Sequence, residues 1–204
     1  EDEIVYNDGE KETVIVNIHD LKLLGRHNHE NVMAAIAISM NMGVPLEKIQ
    51  KVIKEFKAVE HRIEFVTERF GVKYYNDSKG TNPDAAMQAI KAMPGPTLLI
   101  AGGYDKHIPY EPLGPVINDK VKLLILLGDT APKIEKAVKE ASNYDADEIE
   151  IVNVTNMEEA VAVARERSTK GDIVSLSPAS ASFGLYKNFE ERGNHFKSIV
   201  NALK

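Results

Sequence analysis

The sequence predicts an α/β fold: a Rossmann-like, mostly parallel sheet with helices on both faces, preceded by a partial α/β segment. Three observations carry this expectation. From residue 61 onward, strand-length apolar runs alternate with stretches whose apolar residues recur every three or four positions, the pattern of parallel strands joined by crossover helices. Residues 1–60 read differently, as two β-like runs followed by two helical stretches. Polar clusters rich in glycine, serine and asparagine fall where strands give way to helices, the carboxyl edge at which open α/β sheets bind ligands.

Taken in order, IVYN and TVIVNI flank a DGEK turn between Ile4 and Leu24. NVMAAIAISMNMG and LEKIQKVIKEF then show the spacing of amphipathic helices, separated by Gly43 and Pro45. RIEFVTERFGVKYYN reads as a strand hairpin, followed by a helix over 83–93. Thr81 or Asn82 supplies that helix with its N-cap, and Pro83 suits its first position because the missing N–H would find no partner there. Strand 97–101, a loop, strand 121–127, helix 131–142, strand 149–152, helix 157–167, strand 172–176 and a helix from 188 complete the chain. A boundary near 58–62 divides it into domains 1–60 and 61–204. The first has too few strands to close a core alone, so its apolar faces are expected to pair with residues outside this chain. The start at Glu1, without methionine and inside a strand-like run, suggests a piece of a longer protein.

Composition narrows the function classes. The 204 residues carry 25 Lys and Arg against 31 Asp and Glu, a net charge of -6, with 43% apolar residues. This balance supplies no broad basic face for nucleic acid or anionic membrane, and small molecules are the expected partners. With no cysteine there is neither a disulfide framework nor a thiolate metal site, in keeping with a cytoplasmic setting. The apolar run LLILL is strand-length and far too short to span a bilayer.

Several clusters bear chemistry. NDSKGTN at 76–82 offers a carboxylate, hydroxyls and a fixed cation in Asp77, Ser78, Lys79 and Thr81, able to hold sugar hydroxyls and an anion, or simply a solvated turn with a good cap. AGGYDK at 101–106 places Lys106 beyond a glycine pair, as an anion-binding residue or as a surface charge after a turn. SPASASF at 177–183 leads into a helix, where Ser180, Ser182 and the N–H of Phe189 suit a carboxylate or serve as a serine-rich cap; no G-x-S-x-G elbow makes a nucleophile of either serine. In GRHNHEN, His27 and His29 lack a third ligand and do not share a helix face, so no metal is expected there. Asn28 and Asn31 can cap the helix or read a base edge. Arg62 is a surface charge or a phosphate clamp. The pattern G-x-x-x-x-G-K-[ST] occurs nowhere, so the chain holds no triphosphate cradle. Three such loops at three strand ends argue for a site together more strongly than any one does alone.

In this order and spacing, LLGRHNHEN, EHRIEFV, YNDSKGTN, AGGYDK, LSPASASF and NFEERGNHF resemble the Mur ligase family over nearly the whole chain. The resemblance implies the end of a central ATPase domain followed by a complete C-terminal domain. It implies ATP-dependent amide formation in peptidoglycan precursor synthesis, in which a carboxylate is activated as an acyl phosphate and attacked by an amine, here that of D-glutamate. It implies ATP contacts for Asn28 and Asn31 (adenine), Arg62 (phosphate), Asp77 (ribose) and Lys79. It further implies that Thr81 and Lys106 hold the side-chain carboxylate of D-glutamate, and Ser182 and the Phe189 N–H its α-carboxylate. The magnesium ligands and phosphate loop would lie outside these residues, so the chain alone is expected to be inactive. Ser180 stands where relatives often have cysteine, Gly80 where alanine is frequent and expected to loosen the loop slightly, and Gly184 where an acidic residue is common. His107 and Pro109 stand where a glycine and an acidic residue are usual, which bears on selectivity for D-glutamate. The other reading is a non-catalytic binding or interaction module, half of a split enzyme or an engineered domain.

Overall fold

A computed structural model describes residues 2–204. The chain divides into two compact units, Glu1–Ala58 and Val59–Lys204. In the first, β1 (Glu3–Asn7) and β2 (Glu12–Asn17) form an antiparallel pair, followed by α1 (Arg26–Asn41) and α2 (Leu46–Glu55). Ile4, Ile15, Val16, Leu21, Val32, Ile36 and Ile49 bury one another, so this unit has a small core of its own. Ile38 at 62% and Met42 at 77% exposure lie outside it.

The second unit is a six-stranded sheet in the order β3-β4-β8-β5-β6-β7. Its strands are β3 (Glu64–Arg69), β4 (Val72–Asn76), β5 (Thr97–Ala101), β6 (Val121–Leu126), β7 (Glu150–Asn153) and β8 (Ile173–Leu176). All pairings are parallel except β3 with β4. That hairpin turns through Phe70 and Gly71 at φ of 56° and 76°, the paired left-handed conformation of a tight turn matched to strand twist. The Arg165 guanidinium lies 4.0 Å from the centre of the Phe70 ring and covers it.

Period-two alternation sorts the central strands between two cores. Leu99, Ala101, Leu124 and Leu126 face α3 (Pro83–Ala92), α4 (Leu113–Lys120) and α5 (Ala131–Lys139), where Ile90, Ile117, Ile134 and Val138 are buried. Leu98, Ile100, Leu123, Ile125, Val174 and Leu176 face α6 (Met157–Arg167) and α7 (Phe189–Ala202), against Val161, Ala164, Phe196 and Val200. The Asn82 side chain accepts from the Ala85 N–H at 2.9 Å, and Pro83 occupies the first turn as the sequence predicts.

Helix α4 is a correction, because the sequence reads there as loop. Pro112, Gly114 and Pro115 obscure it, yet proline is tolerated in a first turn, where its N–H would be unpaired anyway. Gly114 is required by packing: a Cβ there would lie 2.1 Å from the Ala137 carbonyl oxygen of α5. Helix α1 also begins earlier than expected, at Arg26. Replacing Gly114 by alanine should therefore destabilise the unit by about 1–2 kcal/mol, since overpacking against rigid backbone outweighs the gain in helix propensity. Urea unfolding with an unchanged midpoint would contradict this packing.

Candidate functional site

The site is laid out by strand register. Asn76 on β4 pairs with Leu176 on β8, and Leu176 with Ile100 on β5. The three adjacent parallel strands thus end level, and the residues that follow emerge side by side. Asp77 and Ser177 are one such pair of neighbours, and the Ser177 hydroxyl donates to Asp77 Oδ2 at 2.7 Å.

Asp77 is only 4% exposed. Its Oδ1 accepts from the Ile63 N–H at 3.2 Å. These two bonds leave lone pairs of the carboxylate free to accept a further donor. Burial pushes the Asp77 pKa up to about 7, against the opposing hydrogen bonds from Ser177 and Ile63 and the positive charges of Arg62 and Arg192. Gly80 does not loosen this loop. A Cβ at Gly80 would lie 2.4 Å from Asp77 Oδ2, so glycine permits the loop to close tightly on the buried carboxylate.

The Asp77 bond also holds the turn that carries Arg62. His61 and Ile63 have φ of 64° and 45°, left-handed values that are strained for a β-branched residue such as Ile63. The His61 N–H donates to Glu64 Oε2 at 2.9 Å, and Asn76 Nδ2 lies 2.9 Å from both His61 Nδ1 and Glu64 Oε2. Arg62 is exposed between these two anchored residues. Glu60, His61 and Glu64 form the one group of potential metal-binding side chains among the described residues. The Lys197 ammonium already lies 2.5 Å from Glu60 and 3.1 Å from Glu64, supplying the cation that such a cluster needs.

Ser180, in the β8 loop, belongs to a buried chain of hydroxyls. Its Oγ lies 2.8 Å from both Tyr110 Oη and Thr130 Oγ1. Thr130 Oγ1 accepts from the Gly103 N–H at 3.0 Å and donates to the Gly103 carbonyl at 3.3 Å. One direction satisfies every group, with Tyr110 donating to Ser180, Ser180 to Thr130, and Thr130 to Gly103. A thiol at 180 would bond more weakly, so serine here is a functional part of the loop structure. Tyr104 bridges to Ala181, which brings the glycine-pair loop and the serine-rich loop together.

The other expected residues fall as follows. Ser182 is buried, and its carbonyl accepts from the Tyr186 N–H at 3.0 Å. Phe189 opens α7, whose N-cap Asn188 accepts from the Glu191 N–H. Lys79 is exposed, with its ammonium 5.8 Å from the centre of the Phe189 ring. Thr81 is half-buried beside it in sequence, and Lys106 is exposed. Asp105 anchors the Lys106 loop through Lys133 at 2.5 Å and the His107 N–H at 2.8 Å. His107 has a φ of 59°, so a histidine occupies a left-handed position of the kind that favours glycine. Asn28 and Asn31 belong to the first unit. Neither caps α1, whose N-cap is Gly25; the buried Asn28 amide donates to the Leu24 carbonyl at 2.7 Å, and Asn31 is exposed.

One residue at the centre of this geometry went unnoticed in the sequence. Arg192, 3% exposed, donates from Nε to Ser78 Oγ at 3.0 Å, from Nη2 to the Ser78 carbonyl at 2.8 Å and from Nη1 to the Ser180 carbonyl at 3.1 Å. Its motif, NFEERG, offers a helix N-terminus and a mark of the family resemblance, and neither singles out the arginine. A buried arginine in the first turns of a helix carries no periodic signal that separates it from a surface charge.

A parallel sheet with polar, anion-suited loops at the ends of adjacent strands defines a ligand-binding domain of the open α/β class. Comparison with known proteins defines it further. The family model described as Mur ligase, glutamate ligase domain, matches residues 61–180. The chain is 50% identical over 203 residues to UDP-N-acetylmuramoylalanine–D-glutamate ligase of Symbiobacterium thermophilum, covering 100% of this chain and 44% of that protein. It is 49% identical over 204 residues to the protein of the same name from Lachnoclostridium phytofermentans, again 100% of this chain and 44% of that one. Solved structures sharing the fold include UDP-N-acetylmuramate-alanine ligase of Thermotoga maritima, with a TM-score of 0.64 and 15% identity over 95% of this chain and 41% of that one. Another is the bifunctional folylpolyglutamate synthase/dihydrofolate synthase of Yersinia pestis complexed with AMPPNP and Mn ion, with a TM-score of 0.62 and 14% identity over 96% of this chain and 43% of that one. The chain belongs to the Mur ligase family, and it spans less than half the length of these curated relatives.

The Asp77 carboxyl gives a signed prediction. A carboxyl whose folded pKa lies above its unfolded value of 3.8 holds its proton more tightly in the fold. The stability it contributes is complete below that value and is lost as the pH rises through about 7. Asp77→Asn is neutral throughout: its amide oxygen still accepts from the Ile63 N–H, and its amide nitrogen donates to a Ser177 hydroxyl turned to accept. It should flatten the fall in unfolding free energy across this window, and equal slopes in the two proteins would show that Asp77 titrates normally.

Proposed function

We propose that this chain is the amino-acid-binding portion, with part of the ATP-binding surface, of a cytoplasmic ligase that joins D-glutamate to UDP-N-acetylmuramoyl-alanine in peptidoglycan precursor synthesis. The observation that carries the reading is the convergence of the NDSKGTN, AGGYDK and SPASAS loops from adjacent strand ends, in a chain half identical to ligases bearing that name. Thr81 and Lys106 hold the side-chain carboxylate of D-glutamate, and Ser182 with the Phe189 N–H at the start of α7 holds the α-carboxylate. Fixing both carboxylates orients the amine toward an activated carbonyl and distinguishes the enantiomers, a proximity effect of several kcal/mol. Phe189 and Lys79 stand together in support of this arrangement.

On the nucleotide side, Arg62 suits a phosphate because two anchored residues hold its turn while its side chain is exposed. Lys79 adds a second cation, and Asp77 takes the ribose. ATP would supply the activation of the carboxylate. Magnesium does not fit the residues present: the one candidate cluster among the described residues already holds the Lys197 ammonium. The role of this chain is positioning.

Two outcomes are expected. The chain alone should hydrolyse no ATP, for want of a triphosphate cradle, and steady phosphate release by the pure protein would refute this. In an NMR titration, D-glutamate should shift amides near Lys106 and Ser182 where L-glutamate does not, and Ser182→Ala should abolish the response. Equal shifts with both enantiomers would refute the assigned selectivity.

A further inference from the structure

We propose that Arg192 is the positioning residue of the amino-acid site, one buried guanidinium that sets all three ligand-binding loops and the start of α7 at their working separations. The inference rests on the reading of that site given above. Arg192 reaches the NDSKGTN loop twice, through the hydroxyl and carbonyl of Ser78, and the serine-rich loop once, through the carbonyl of Ser180. The Ser78 hydroxyl, while accepting from Arg192 Nε, donates to the Phe189 carbonyl at 2.7 Å and so ties in the first residue of α7. The glycine-pair loop closes on the same group: a Cβ at Gly103 would lie 3.2 Å from Arg192 Nη1 and 2.3 Å from the Ala181 carbonyl. Thr81 follows Ser78 by three residues, Ser182 follows Ser180 by two, and Phe189 is itself bonded.

The partners are two carbonyls and one hydroxyl, and among the described residues no carboxylate is in hydrogen-bond contact. Arg192 is therefore not half of an ion pair retained for charge neutralisation. Burial lowers its pKa to about 10, so it remains charged at neutral pH. A buried charge is costly unless its hydrogen bonds are well made, and a planar fork with fixed angles makes three bonds in set directions. Lysine, with one flexible ammonium, keeps the charge but cannot hold three acceptors at those spacings. The side chain is 3% exposed and its bonds go to the loops themselves, which separates a positioning role from a catalytic one.

The test compares Arg192→Lys and Arg192→Met with the native chain. Thermal unfolding by circular dichroism reports the fold, amide NMR without ligand reports the loops, and titration with D-glutamate reports the site. In Arg192→Lys, amides of Ser78–Thr81, Gly103–Lys106 and Ser180–Phe189 should shift or broaden together while those of β5 and β6 stay in place. Affinity should fall at least about tenfold, and lysine should rescue no better than methionine. Native-like loop spectra in Arg192→Lys, changes confined to one loop, or full rescue by lysine would overturn the proposal. If the native chain does not bind D-glutamate, the amino-acid reading fails, and the ligand-free loop spectra still decide the positioning role. Should Arg192→Lys fail to fold, Ser78→Ala must reproduce the same pattern in weaker form. A response limited to its own loop would count against Arg192.

Discussion

The β8 strand, hydrogen-bonded on one side to β4 and on the other to β5, is the constraint on which the rest of the second unit depends. Parallel ladders fix register residue by residue, and here they align Asn76, Leu176 and Ile100 in one row. Everything useful happens in the next few positions of each strand. A slip of one residue on β8 would turn Ser177 away from Asp77 and send Val174 and Leu176 to the wrong core. The hydrophobic sorting of the two faces therefore enforces the geometry of the polar loops above them.

Those loops are held from below by buried polar bonds. The Asp77 carboxyl, the Ser180 hydroxyl chain and the Arg192 guanidinium are all nearly inaccessible, and each finds partners within the fold. Burying such groups is costly unless their bonds are made, so a satisfied network permits one arrangement and penalises alternatives. Glycines at 80, 103 and 193 allow the approach: a Cβ at Gly193 would lie 2.3 Å from His61 Nδ1. Tight closure also explains the strained turn at Ile63, whose left-handed backbone is held by Asp77.

Membership of the Mur ligase family fits this construction. Exposed cations at Lys79 and Lys106 stand on loops whose neighbouring side chains are buried and bonded. His107, left-handed and next to Lys106, keeps the loop turn without glycine, and Asp105 bonded to Lys133 fixes its base.

By itself the sequence determined the α/β class, the strands from 61 onward, a cap at Thr81 or Asn82, a helix start near Asn188, and the three polar loops, because periodicity and cap chemistry are local properties. It also singled out Arg62, Asp77, Lys79, Thr81, Lys106, Ser182 and Phe189 as a group, through the composition and order of their motifs. It could not show α4, whose proline and glycine read as loop until packing on α5 explains Gly114. Nor could it show that Asp77 is buried and bonded to a serine 100 residues away, or that Arg192 joins loops 114 and 12 residues distant. Only the tertiary structure decided these, since they depend on β8 returning between β4 and β5, and strand order is set by long-range burial that no local pattern encodes.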